Sequence, residues 1–100
     1  MNLDNFTKRG YFSGEVQGSA TAAQLPNIPC SLVVIKAVNS NAGNVYIGLS
    51  GVTKPDGTTD TTTGVELRAG DALTIAVSNM NVLYLICDNA TDDITYLAMG

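Results

Sequence analysis

The 100-residue chain contains no histidine and no tryptophan, and it carries few charges: five Lys and Arg against nine Asp and Glu, for a formal charge of −4. Each shortage excludes something. Without His there is no Ser-His-Asp triad, no Cys-His dyad, no imidazole metal ligand and no side chain whose ordinary pKa lies near neutrality. The basic residues Lys8, Arg9, Lys36, Lys54 and Arg68 are scattered, so no patch forms to neutralise a phosphate backbone, and no nucleic-acid partner is expected. The lack of Trp weakens a sugar-stacking role, although Tyr can serve. Apolar runs are short as well. Leu32 to Ile35 stops at Lys36 and Val82 to Cys87 stops at Asp88, far below the roughly 20 residues with which a helix spans a bilayer, and no membrane partner is expected.

Cysteine is sparse too. Cys30 and Cys87 each lie beside an apolar segment, and in a reducing compartment the expectation is two buried thiols acting as small hydrophobes. Two thiols cannot complete a four-ligand zinc site. The stretch Met1 to Arg9 shows neither an apolar signal core nor a small-residue cleavage pattern, so synthesis in a host cytoplasm is expected. On that reading, Asn5-Phe6-Thr7 and Asn89-Ala90-Thr91 are chance matches to a glycosylation acceptor.

What the chain does hold is 45% hydrophobic residues with abundant Thr, Asn, Ser and Gly. At this size about 64% of the extended chain's surface can be buried, enough for one core and not for two. A surface of small neutral polar groups is covered by another protein at lower desolvation cost than a Lys/Glu surface. Periodicity is β throughout. Val45, Ile47 and Leu49 fall on one side of their segment with Tyr46 and Gly48 on the other, and Leu73, Ile75 and Val77 alternate likewise, as in half-buried strands. Leu32 to Ile35 and Val82 to Cys87 are apolar on both faces, as in central strands or strands covered by another subunit. With Ala20 to Leu25, Val65 to Arg68 and Ile94 to Met99 this gives about seven short strands, and no amphipathic helical run appears. The expected fold is all-β: a single antiparallel β-sandwich or jelly-roll-like domain over residues 20–100, with an N-terminal arm over residues 1–19.

In that arm, glycines at 10, 14 and 18 are interspersed with Phe6, Tyr11 and Phe12. It reads either as an anchor that docks on a neighbouring subunit or as an extra edge strand. The longest connection, Ser50 to Thr63, is either a projecting contact tip or an inert excursion. Asp88, Asp92 and Asp93 read as a solvated acidic turn, because their spacing fits no EF-hand and lacks its bidentate Glu. No Gly-x-Ser-x-Gly elbow, phosphate loop or paired-carboxylate cleft is legible. No catalytic residue, metal site or cofactor is expected.

Taken in order, Thr21-Ala22-Ala23-Gln24-Leu25-Pro26, Cys30 with Val33-Val34-Ile35-Lys36-Ala37, Gly43-Asn44-Val45-Tyr46-Ile47-Gly48 and Gly64-Val65-Glu66-Leu67-Arg68-Ala69-Gly70-Asp71 resemble the small β-sandwich virion proteins of tailed bacteriophages, namely capsid decoration or cement proteins and head-fibre or tail-associated domains. The resemblance covers residues 20–100. It implies a non-enzymatic component of the virion surface, a homo-oligomer (trimer or dimer) bound to the major capsid protein lattice. The alternative is a fibre or tail module recognising a host-surface glycan or protein. No binding motif transfers residue by residue. From exposure and loop length the expected partner contacts are Phe6, Tyr11, Phe12, Tyr46, Lys54, Asp56, Thr59 and Asp60.

Overall fold

A computed structural model describes residues 11–55 and 63–100. Its strands are β1 (Tyr11–Val16), β2 (Ala23–Gln24), β3 (Leu32–Ala37), β4 (Val45–Gly48), β5 (Val65–Leu67), β6 (Ala72–Ile75), β7 (Tyr84–Cys87) and β8 (Ile94–Met99), with one 3₁₀ turn at Met80–Val82. The count is eight rather than seven, because residues 11–16 of the N-terminal segment form an edge strand paired in register with β8, Tyr11 opposite Met99 through Val16 opposite Ile94.

Two antiparallel sheets result, ordered β1-β8-β3-β6 and β2-β7-β4-β5. The pairings nest: β4 with β5, β3 with β6, β2 with β7, β1 with β8. The chain is therefore one long hairpin whose successive rungs go to opposite sheets, which is the winding of a jelly roll. The inner strands β3 and β7 are the two segments read as apolar on both faces. Their inward residues Val33, Ile35, Ala37, Leu85 and Cys87 are fully buried, while Leu32, Val34, Tyr84 and Ile86 on the outer faces remain half-buried.

The core is the layer between the sheets. Val45, Ile47 and Leu67 meet Val33, Ile35, Ile94 and Ala98, and Met80 and Leu83 close one end. Leu73, Ile75 and Val77 pack against this cluster as their alternation predicts. Leu49 does not follow its strand inward. β4 ends at Gly48, the chain turns at Ser50, and Leu49 is left 63% exposed.

The winding gathers the β1–β2, β3–β4, β5–β6 and β7–β8 loops at one end of the sandwich and the remaining connections at the other. A single side chain organises much of the second end. Asn79 Oδ1 accepts from Ile28 N at 3.0 Å and Asn81 N at 2.9 Å, its Nδ2 donates to Asn27 Oδ1 at 2.8 Å, and Met80 N donates to Ile28 O. Asn79 thus caps the 3₁₀ turn and clamps it to the β2–β3 connection.

Candidate interaction site

The acidic turn comes first because it concentrates the carboxylates. Asp92 is not solvated, as the spacing alone suggested, but fully buried. Its Oδ1 accepts from Ala42 N at 3.0 Å and Gly43 N at 3.1 Å, and its Oδ2 from Asn89 N and Asn89 Nδ2, each at 3.0 Å. Burial pushes the Asp92 carboxyl up, but the donors from Gly43, Asn89 and Ala42 outweigh it and hold the pKa below its ordinary value. Around it, Asn41 and Asp93 exchange hydrogen bonds of 2.8 Å, Asp93 Oδ1 accepts from Gly18 N at 2.9 Å and Asp88 Oδ2 from Asn44 N at 2.9 Å. Gly43 is required here, since a Cβ would lie 2.8 Å from Asp92 Oδ2 and 2.7 Å from Asp88 Cβ. These acids latch three loops to one another. Among the described residues no group of three or more His, Cys, Asp or Glu is placed to hold a metal ion.

The expected contact residues fall apart into three groups. Phe6, Asp56, Thr59 and Asp60 lie outside the described residues. Tyr11 and Phe12 are exposed on β1, at 57% and 44%. Tyr46 and Lys54, by contrast, are engaged by their own chain. Tyr46 does point to the face opposite Val45 and Ile47, yet it is only 3% exposed, so the expectation of a surface or subunit contact there is corrected. Residues 52–54, after β4, fold back onto the sheet. Val52 is buried, and a Cβ on Gly64 would meet Val52 at 2.7 Å and Tyr46 Cβ at 3.0 Å. Lys54 Nζ continues across the sheet to donate to Cys87 O at 2.8 Å. Thr53 and Thr63 close the loop's base through Thr53 N to Thr63 Oγ1 at 3.0 Å and Thr63 N to Thr53 Oγ1 at 3.2 Å. Desolvation raises the pKa of the Tyr46 phenol, with Asp88 and Glu66 adding to the effect and Asn44 opposing it.

Both thiols are free. Cys87 is fully buried as expected, while Cys30 is only half-buried, its Sγ donating to Val77 O at 3.3 Å. Desolvation raises both thiol pKa values, so the neutral thiol is the form this fold favours.

Two apolar surfaces stand out among the described residues. One is a groove of about 450 Å³ at the end of the sandwich away from the latch, where Ile47, Leu49, Val65, Ile75 and Leu83 leave the space between the sheets open. Leu49 and Val65 stand 63% and 51% exposed at its mouth. The other is the outer face of the β1-β8-β3-β6 sheet. Its register builds three cross-strand rows: Tyr11, Met99 and Leu32; then Ser13, Leu97, Val34 and Thr74; then Glu15, Thr95, Lys36 and Ala72. Leu97 is 40% exposed at the centre. Sequence reasoning found these strands but not this face, because the rows join residues far apart in the chain and exist only once the pairing is known.

No protein-family model matches the chain, and no curated protein matches it. Solved structures do. One is of Bacillus endospore appendages, described as a novel family of disulfide-linked pili, with a TM-score of 0.45 and 18% identity over 90% of this chain and 85% of that one. Another is the IMPa metallopeptidase from Pseudomonas aeruginosa, with a TM-score of 0.51 and 14% identity over 91% of this chain but 12% of that one. A third is IMPa in complex with an O-glycopeptide, with a TM-score of 0.49, 15% identity and the same coverage. At such identities the likeness is one of fold.

Proposed function

We propose that the chain is a non-enzymatic structural subunit that works as a homo-oligomer on a repeated protein lattice, a phage capsid bearing a decoration layer being the specific form of that reading. The observation that carries the proposal is the placement of large apolar side chains. Tyr11, Phe12, Leu49, Val65, Val82 and Leu97 are all at least 40% exposed on a chain with only 14% charged residues. Leu49 and Val65 adjoin at the mouth of the groove and Tyr11 and Leu97 share one sheet face, and apolar patches of this kind are where a soluble domain meets a partner. The carboxylates of Asp88, Asp92 and Asp93 meanwhile serve loop closure. A subunit bound only to the assembled lattice stabilises that lattice by mass action, and many symmetric copies let modest contacts add through avidity. Mixing the protein with undecorated shells and sedimenting them tests this. Binding that saturates at a fixed ratio of chain to coat subunit is expected, and sedimentation without saturable binding overturns the lattice reading.

A further inference from the structure

The outer face of the β1-β8-β3-β6 sheet is arranged so that it complements a copy of itself. We propose that two chains pack this face against each other about a twofold axis running along β8. Such an axis leaves each residue at its height along the strands and exchanges the flanking strands, so β1 of one chain faces β3 of the other. Four consequences follow from the register. Leu97 meets Leu97 of the second copy on the axis. Tyr11 lies over Leu32, because both are level with Met99. Ser13 lies over Val34, both being level with Leu97. Glu15 lies over Lys36, since both are level with Thr95, and the symmetry makes this opposite-charge pair twice.

The charges are what commit the face to a second copy. Among the described residues it carries one acid, Glu15, and one base, Lys36, set symmetrically about β8 on the same row. Among the described residues the ion pair formed is Arg68 with Glu66, on the other sheet, and neither Glu15 nor Lys36 pairs with another described residue in this way. A twofold partner converts them into two complementary rim contacts around an apolar centre, the usual anatomy of an interface. Sheets packed face to face lie about 10 Å apart with their strands roughly aligned, a spacing that side chains of Lys and Glu bridge.

Area sets the strength. The three six-residue strands that face one another, β1, β8 and β3, span roughly 20 by 14 Å, smaller than the approximately 800 Å² per partner of a standard stable interface. The dimer therefore belongs to the weak class, with a dissociation constant on the order of 0.1 mM, and becomes persistent where a lattice holds copies together. The inference deepens the structural-subunit reading and rests on it.

Sedimentation velocity of the full chain from about 10 µM to about 1 mM tests it, these limits bracketing that constant tenfold on either side. A monomer–dimer equilibrium is expected, and Leu97→Glu, at an exposed position, should abolish it while circular dichroism stays unchanged. Glu15→Lys and Lys36→Glu should each weaken the dimer about tenfold, by turning two attractions into two repulsions. Mixing the two single variants should restore it, because a heterodimer recovers both pairs. A charge pair within one chain cannot give that rescue. A chain that remains monomeric throughout overturns the dimer. An oligomer insensitive to Leu97→Glu, or single variants that fail to rescue each other, also overturns this face while leaving the subunit reading standing.

Discussion

Asp92 is a buried charge for which four N–H donors stand in for the lost water. Its worth depends on pH with a definite sign. The folded carboxyl has a pKa below the ordinary value of about 3.9, so its contribution is complete above that value and is lost as pH falls through the folded pKa. Asp92→Ala orphans the donors, and a loss of about 3–5 kcal/mol is expected at neutral pH, a large share of a small domain's stability. Asp92→Asn keeps one acceptor oxygen and should cost about 1–3 kcal/mol. Urea midpoints measured against pH check both the magnitude and the sign: the gap between wild type and Asp92→Asn should close below about pH 4. At the other end of the sandwich Asn79→Ala removes the clamp on Ile28 and Asn81. It should lower stability by about 1–2 kcal/mol, with Asn79→Asp recovering most of the loss because an acceptor remains.

At the level of elements, residues 49–55, the described start of the segment that follows β4, pack back on the sheet, while the loop's residues 56–62 lie outside the described residues. Val52 is buried beside Gly48 and Gly64, next to the Tyr46 Cβ, and the Tyr46 phenol has its pKa raised chiefly by burial. Subtracting the ultraviolet pH titration of Tyr46→Phe from that of the wild type should leave a component ionising above the ordinary value of about 10. In Val52→Ala that component should move down toward it, and a component that stays put would mean Val52 does not desolvate Tyr46. This role was hidden from the sequence, since Lys54-Pro55-Asp56-Gly57 carries the signature of an exposed turn whichever way the segment folds. Strands β4 and β6 were legible because their aliphatic residues recur at every second position, and β3 and β7 because they are short apolar runs bounded by polar residues, with tertiary packing in agreement. β1 was left open because Gly14 interrupts its inward face, where a Cβ would lie 2.8 Å from the Tyr96 hydroxyl oxygen. Asp92 was misread for a related reason. Asp88, Asp92 and Asp93 share one turn, and only the approach of Ala42 and Gly43, some fifty residues away, decides which of them is buried.

For the whole molecule, the nested pairing that makes the jelly roll also fixes which surfaces remain to be covered. One face of the β2-β7-β4-β5 sheet is partly covered by Val52 and Lys54, and the inner faces cover each other. The outer face of β1-β8-β3-β6 keeps Tyr11, Met99, Leu32, Leu97 and Val34 turned outward, so association there should add to fold stability. A partner that binds only the folded chain stabilises it according to concentration. For a dissociation constant on the order of 0.1 mM, raising the protein from about 10 µM to about 1 mM adds roughly 1 kcal/mol per chain, or about 4–8 °C in Tm for a domain of this size. Differential scanning calorimetry over that range should show the shift in the wild type and none in Leu97→Glu. Added salt should reduce it only in part, because screening acts on the Glu15 and Lys36 rim and not on the Leu97 centre. A Tm independent of concentration in the wild type would mean that this face does not contribute to the fold's stability through a second copy.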